Sequence, residues 1–190
     1  MSEQIAYINK TDLPDLKLNA VSDIDNCIEE ALYNKVKIGN RDDLEQDHSK
    51  RQIIPYAVLM NGKIFTTFRK DGDNRLVGCK SVGVGGHISK EDVGHGDYIL
   101  NGLIREINEE LEIDRVSRIY RYGYICTDDD VGDVHMGIVY RVQCSSARVK
   151  EKDTLEGGWV SRVEDINNYE KWSQVVLQDC FTAWLPEDER

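Results

Sequence analysis

The chain has 190 residues, 40% of them hydrophobic, and carries 35 Asp plus Glu against 24 Lys plus Arg, for a net charge of -11. That length buries a sizeable core and suits one domain with at most an extension, while the acidic balance argues against nucleic acid or an anionic membrane as a partner held by charge. No apolar run approaches a membrane span, and Met1-Ser2-Glu3-Gln4 lacks the basic and apolar regions of a secretion signal, so the cytoplasm is the expected location.

Residues 1–50 carry few strand signals. A helix is expected from Ser22-Asp23-Ile24-Asp25 onward, with Ile24, Cys27, Ile28, Ala31 and Leu32 as its apolar face, and Arg41 to Asp47 is polar enough for the surface. This segment reads as a partly helical N-terminal extension packed on a domain spanning 51–190. Gln52 to Met60 and Lys63 to Lys70 are β-rich and separated by Asn61-Gly62, a strong hairpin signal. Ser81 to His87 reads as a strand whose glycines let a ligand or another backbone approach closely. A helix rich in acids follows, then strands near Ile119–Thr127 and Val134–Cys144, and a final helix from about Val163 to Trp184. Strands, helix, strands and helix in that order suit an α/β fold with a mixed sheet between helices.

Near-matches to other motifs fail on spacing. Gly72 to Ser81 has five residues between its glycines, where a P-loop has four, and no helix follows; Gly83-x-Gly85 lacks the third glycine of a dinucleotide fingerprint. The histidines His48, His87, His95 and His135 show no paired-ligand spacing, and a loop histidine is more often solvated than functional. Cys27, Cys79, Cys126, Cys144 and Cys180 are scattered and read as reduced thiols.

The informative stretch is Arg105-Glu106-Ile107-Asn108-Glu109-Glu110. Ile99, Leu103, Ile107 and Leu111 put one helical face in a core. Glu106, Glu109 and Glu110 then share the other, at i, i+3 and i, i+4 spacings that cost about 0.2–0.5 kcal/mol per like-charged pair. They also sit in the last turns, where the helix dipole favours cations. An arrangement that breaks two electrostatic rules suits a site for hard divalent cations, Mg2+ or Mn2+.

The stretch from Arg105 to Ile113 resembles the second half of the Nudix box, G-x5-E-x7-R-E-U-x-E-E-x-G-U, with U a bulky aliphatic residue and Gly86 as the first glycine. Counting back from Arg105 places Asp97 where the family has glutamate, eleven positions after Gly86 instead of six, which implies a five-residue insertion within Ser89–Gly96. Such a loop is expected at the surface, where added length costs little. Glu112 stands in place of the late glycine. Glu156 to Ser161 and Val163 to Ile166 are similar to the strand and helix that end many Nudix domains. Gln52 to Tyr56, Val131 to Gly137 and Glu170 to Ser173 look like a bacterial and phage branch described as predicted phosphoesterases.

The resemblance implies an α/β/α sandwich with a mixed sheet, and a hydrolase in which water attacks the pyrophosphate of a nucleoside diphosphate linked to another moiety. It implies a metal held by Glu106, Glu109 and Glu110, with Arg105 orienting a glutamate. The base is expected from Glu109, Asp153 or Glu156. Gly85, Gly86 and Arg69 are candidates for substrate contact, and Tyr122, Tyr124 and Trp159 for base stacking, although aromatics in strands are more often core. A small-molecule partner is implied; a homodimer is compatible with the sequence but not specified by it. Two rivals remain: a noncatalytic Nudix-fold module that binds a nucleotide metabolite, and an isopentenyl-diphosphate isomerase-like enzyme. The isomerase reading meets Gly85 where the catalytic cysteine should be, with Cys79 six positions away.

Overall fold

The computed structural model describes residues 2–71, 77–94, 96–150 and 153–185; His95 and the Gly72–Leu76 part of the rejected P-loop stretch lie outside them. The strands are β1 (Gln4–Asn9), β2 (Ala20–Ser22), β3 (Lys37–Asn40), β4 (Lys50–Met60), β5 (Ile64–Arg69), β6 (Lys80–Ser81), β7 (Gly83–Gly85), β8 (Leu111–Cys126), β9 (His135–Val149) and β10 (Leu155–Val160). The helices are α1 (Asn26–Asn34), α2 (Arg41–Leu44), α3 (Tyr98–Glu110) and α4 (Lys171–Cys180).

β4 is buried at every position from Arg51 to Met60, the pattern of a central strand covered on both faces. It runs parallel to β9, from Gln52 opposite His135 to Met60 opposite Gln143, and the other pairings in the sheet are antiparallel. β5 returns from β4 through Asn61-Gly62-Lys63, with Gly62 at φ +86°, where a side chain would be strained. The path across the sheet is β10-β5-β4-β9-β8-β2, with β1, β3, β6 and β7 attached at its margins. One face is covered by α1 and α3, whose Ile28, Leu32, Ile99 and Leu103 join one core cluster. The other is covered by α4, whose Val175, Val176 and Leu177 join a second. The architecture is an open mixed sheet between helical layers.

Several sequence expectations shift. The first fifty residues supply three strands as well as α1 and α2, and β1 pairs with β3 and with the start of β4, across the boundary expected at residue 50. β2 and β3, of three and four residues, are too short for an alternating pattern to register. The expected helix from Val163 is interrupted, because Tyr169 is extended and Glu170 caps a fresh helix, its carboxylate accepting from the backbone N–H groups of Trp172 and Ser173. The Ser89–Gly96 segment is anchored at its start, where Ser89 bridges to Ile5 and Asp92 is 8% exposed, while Glu91, Gly94 and Gly96 lie at the surface as expected. Among the described residues no helix is long and apolar enough to cross a membrane.

Candidate functional site

Helix α3 is placed by its ends and its buried stripe. Asp97 caps it, accepting from Leu100 N–H at 3.2 Å, and Ile99, Leu103 and Ile107 are buried. Leu111 is already extended and starts β8, so the helix closes without the family's late glycine. Glu112 then lies on the strand and pairs with Arg148. Facing the acidic end of α3 is β7, laid antiparallel on Tyr56–Val58 of β4. A Cβ on Gly85 would stand under 3.0 Å from the Pro55 carbonyl, and one on Gly86 under 3.0 Å from the Glu106 carboxylate. The second glycine is therefore the space in which Glu106 sits, as the close-approach reading of this strand requires.

Arg105 is the hub of the acids. Its guanidinium donates from Nη1 to Glu106 at 2.8 Å and to Glu109 at 3.1 Å, and from Nη2 to the His87 carbonyl at 2.7 Å and Asp92 at 2.9 Å. The i, i+4 pairing with Glu109 is the one the helical spacing offers. Asp92 also accepts from the backbone N–H and the hydroxyl of Ser89. Burial works against its ionisation, but the hydrogen bonds from Arg105 and Ser89 together outweigh it and hold the carboxyl below its ordinary range. Burial pushes the Glu106 carboxyl the other way, upward, aided by the charges of Glu109 and Glu3 and opposed by Arg105.

Beside this cluster opens a cavity of about 450 Å³. Gly85, Gly86, Glu110 and Arg69 line it, with Arg41 and Lys171 as further cations. The three stretches that resemble the phosphoesterase branch converge on it from distant parts of the chain: Ile54 and Tyr56 from the first, Val131 and His135 from the second, Glu170, Lys171 and Trp172 from the third. Glu170 is tied into the wall by Tyr56 Oη at 2.7 Å, by Ser173 and by Ser81. Burial raises its carboxyl pKa against those hydrogen bonds. The rings of Tyr56 and Trp172 meet edge to face at 5.7 Å.

The structure thus gathers Gly85, Gly86, Arg69 and Glu110 around one cavity, with Glu106 over Gly86. Glu109 is turned along α3 to Arg105, its side chain 58% exposed. Glu156 pairs with Lys70 at 2.9 Å, and Asp153 is exposed in the turn before β10; neither lines the cavity. Asp97 caps α3 and accepts from Tyr33 Oη at 2.9 Å, whereas the acid on Arg105 is Asp92. Counting forward from Gly86 would have found Asp92, which is the sixth residue after it. Of the aromatics, Tyr124 is buried, Tyr122 leans on Phe181 and Trp159 on Phe65. The cavity wall instead carries Tyr56 and Trp172, neither of them named as a stacking candidate. Asp129 reaches the wall too, while accepting from Gly132 N–H in its own turn.

Among the described residues the one trio of metal-ligating side chains with donor atoms all within 4.8 Å of one another is Glu45, His87 and His135. The three acids of α3 are more widely spread. Sequence spacing hid the trio, because its members stand on three different elements.

No family model and no curated protein matches the chain. Among solved structures it is similar to Tm1382, assigned as a Nudix hydrolase, with TM-score 0.75 and 26% identity over 91% of this chain and 95% of that one. A protein from Chromobacterium violaceum assigned to the same family superposes with TM-score 0.47 and 16% identity, covering 67% of this chain and 74% of that one. The MutT Nudix hydrolase of Burkholderia pseudomallei gives TM-score 0.44 and 17% identity over 68% of this chain and 98% of that one. The likeness to Tm1382 runs nearly the whole length of both chains. In that fold, and in the residues of its box, the chain is similar to the Nudix hydrolases.

Proposed function

We propose that the protein hydrolyses the pyrophosphate link of a nucleoside diphosphate joined to another moiety, with water attacking phosphorus and Mg2+ or Mn2+ required. The observation that carries this reading is the acidic end of α3, braced by Arg105 and fitted against Gly86 at the edge of a cavity of small-ligand size, about 450 Å³. Glu106, Glu109 and Glu110 fit the cation by their oxygen-only donor set, and Gly86 leaves the space that the Glu106 carboxylate occupies. When bound, the ion neutralises phosphate charge and lowers the pKa of water.

The chain's own residues do the rest. Arg105 holds Glu106 and Glu109 in register, and Asp92 holds Arg105, so Asp92 takes the place in the box that the spacing assigned to Asp97. Gly85 and Gly86 line the cavity that would take the diphosphate. Arg69, Arg41 and Lys171 present donors for its oxygens, charge-assisted hydrogen bonds of the stronger kind. Trp172 offers an aromatic edge in the cavity wall. None of the three acids considered for the base lines the cavity; Glu109, carried on α3 next to the lining residue Glu110, is assigned the proton from water.

The test is turnover in isotopically labelled water over a panel of nucleoside triphosphates, dinucleoside polyphosphates, nucleotide sugars and ADP-ribose, with and without Mg2+. One labelled oxygen on a phosphate-containing product is the expected result. Binding without release of any product would establish the noncatalytic module instead, and a rearranged diphosphate without free phosphate the isomerase.

A further inference from the structure

The cavity holds a second donor set, of different chemistry from the acids of α3. Glu45 follows α2, His87 follows β7 and His135 opens β9, and their ligand atoms lie within 4.8 Å of one another. His135 Nε2 is 3.9 Å from Glu45 Oε1, the two side chains being 6% and 18% exposed, and the imidazoles of His87 and His135 stand 5.5 Å apart, centre to centre.

The tautomer of His135 is set by its other nitrogen. Nδ1 lies 2.5 Å from the Val131 carbonyl, which can only accept, so Nδ1 carries a proton, and in the neutral ring Nε2 offers its lone pair on the side of Glu45. An imidazole that donates Nδ1–H to a backbone carbonyl is the outer-shell arrangement that orients metal-ligating histidines. The loop that carries it is braced in turn by the buried Arg51 guanidinium, which donates to the carbonyls of Gly132 and His135 at 2.6 and 2.9 Å.

A cation placed between the Nε2 lone pair and the carboxylate would bind both. A shared proton needs the heavy atoms at about 2.7–3.2 Å, and 3.9 Å is too far. Two tetrahedral ligands bonded at about 2.1 Å lie about 3.4 Å apart, a separation these atoms reach with a small inward movement.

We propose that Glu45, His87 and His135 form a binding site for a borderline transition ion such as Zn2+, separate from the oxygen-only site on α3. Two imidazoles and one carboxylate select such an ion over Mg2+. Three protein ligands leave a fourth position, which opens on the cavity lined also by Arg41, Arg69 and Lys171 and suits an oxygen of an anionic ligand such as phosphate. The site stands independently of the hydrolase reading.

Chelator-stripped full-length protein is titrated with Zn2+ by calorimetry and with Co2+ by visible absorption, a readout that needs no turnover. One equivalent is expected, with ligand-field bands of nitrogen-ligated cobalt. His87→Gln and Glu45→Gln, both at solvent-accessible positions, and His135→Gln should each weaken binding by more than about 100-fold, the upper end of what loss of an outer-shell partner costs. A Glu106→Gln, Glu110→Gln double variant should leave the bands in place. Bands that survive the histidine variants, bands lost only in the α3 variant, or the absence of stoichiometric binding would each overturn the proposal. If His135→Gln does not fold, the other two ligand variants decide.

Discussion

Asp92→Ala separates the two acids that compete for the box position. Asp92 is 8% exposed and receives Arg105 Nη2 at 2.9 Å, Ser89 N–H at 2.8 Å and the Ser89 hydroxyl at 3.1 Å. Breaking a fully buried pair costs about 3–5 kcal/mol. Arg105 is 28% exposed and keeps Glu106, Glu109 and the His87 carbonyl, so the loss here is discounted to about 2–3 kcal/mol. For a chain of this size that lowers the melting temperature by about 5–10 °C, whereas Asp97→Ala, which removes an exposed cap, costs about 1 kcal/mol and 2–4 °C. Because the Asp92 carboxyl lies below its usual 3.8, its contribution is complete above that pH and disappears as the pH falls through the folded-state value beneath it. Thermal unfolding by circular dichroism at pH 7 and at successively lower pH reads both effects. The gap between wild type and Asp92→Ala should close in acid, and turnover of the variant should fall because Arg105 no longer holds Glu106 and Glu109. Equal or larger losses from Asp97→Ala, or a shift under about 2 °C for Asp92→Ala, would refute the assignment.

Glu110→Gln should remove at least about 100-fold of the metal-dependent rate while moving the melting temperature by less than about 2 °C, since it takes away a ligand and relieves repulsion along α3; steady-state kinetics with a Mg2+ titration checks it. Gly86→Ala should lower activity more than stability, because its Cβ meets the end of the Glu106 side chain. Gly85→Ala meets the Pro55 backbone and should destabilise the fold outright, a contrast read by parallel melting and turnover assays. In the metal-free protein burial holds the Glu106 carboxyl above 4.5, its ordinary value. The same upward shift means that folding binds a proton, so Glu106 costs stability as pH rises from 4.5 through its folded value, and Glu106→Gln should flatten that slope in pH-dependent melting curves. Cys79→Ala should keep turnover within about threefold although Cys79 lines the cavity, since hydrolysis by water uses no thiol.

What is local in the chain could be read from the sequence. Asn61-Gly62 marks its hairpin, Ile99, Leu103 and Ile107 mark the buried face of α3, and Arg105 with Glu109 marks a pairing that one helical turn makes available. Each is a short-range consequence of backbone geometry. The glycines of β7 announced a close approach, but only the packed structure says that Gly86 yields to Glu106 and Gly85 to Pro55. Tertiary structure alone decided that the acid on Arg105 is Asp92, because counting back from the helix and forward from the glycine gives different answers across an insertion. It also decided that Glu45, His87 and His135 meet, and that Trp172 and Glu170 stand beside Tyr56 in one cavity wall. Those contacts join residues tens of positions apart. Their distances are set by the pairing of β4 with β7 and β9 and by the packing of α4 on the sheet, and no spacing along the chain encodes them.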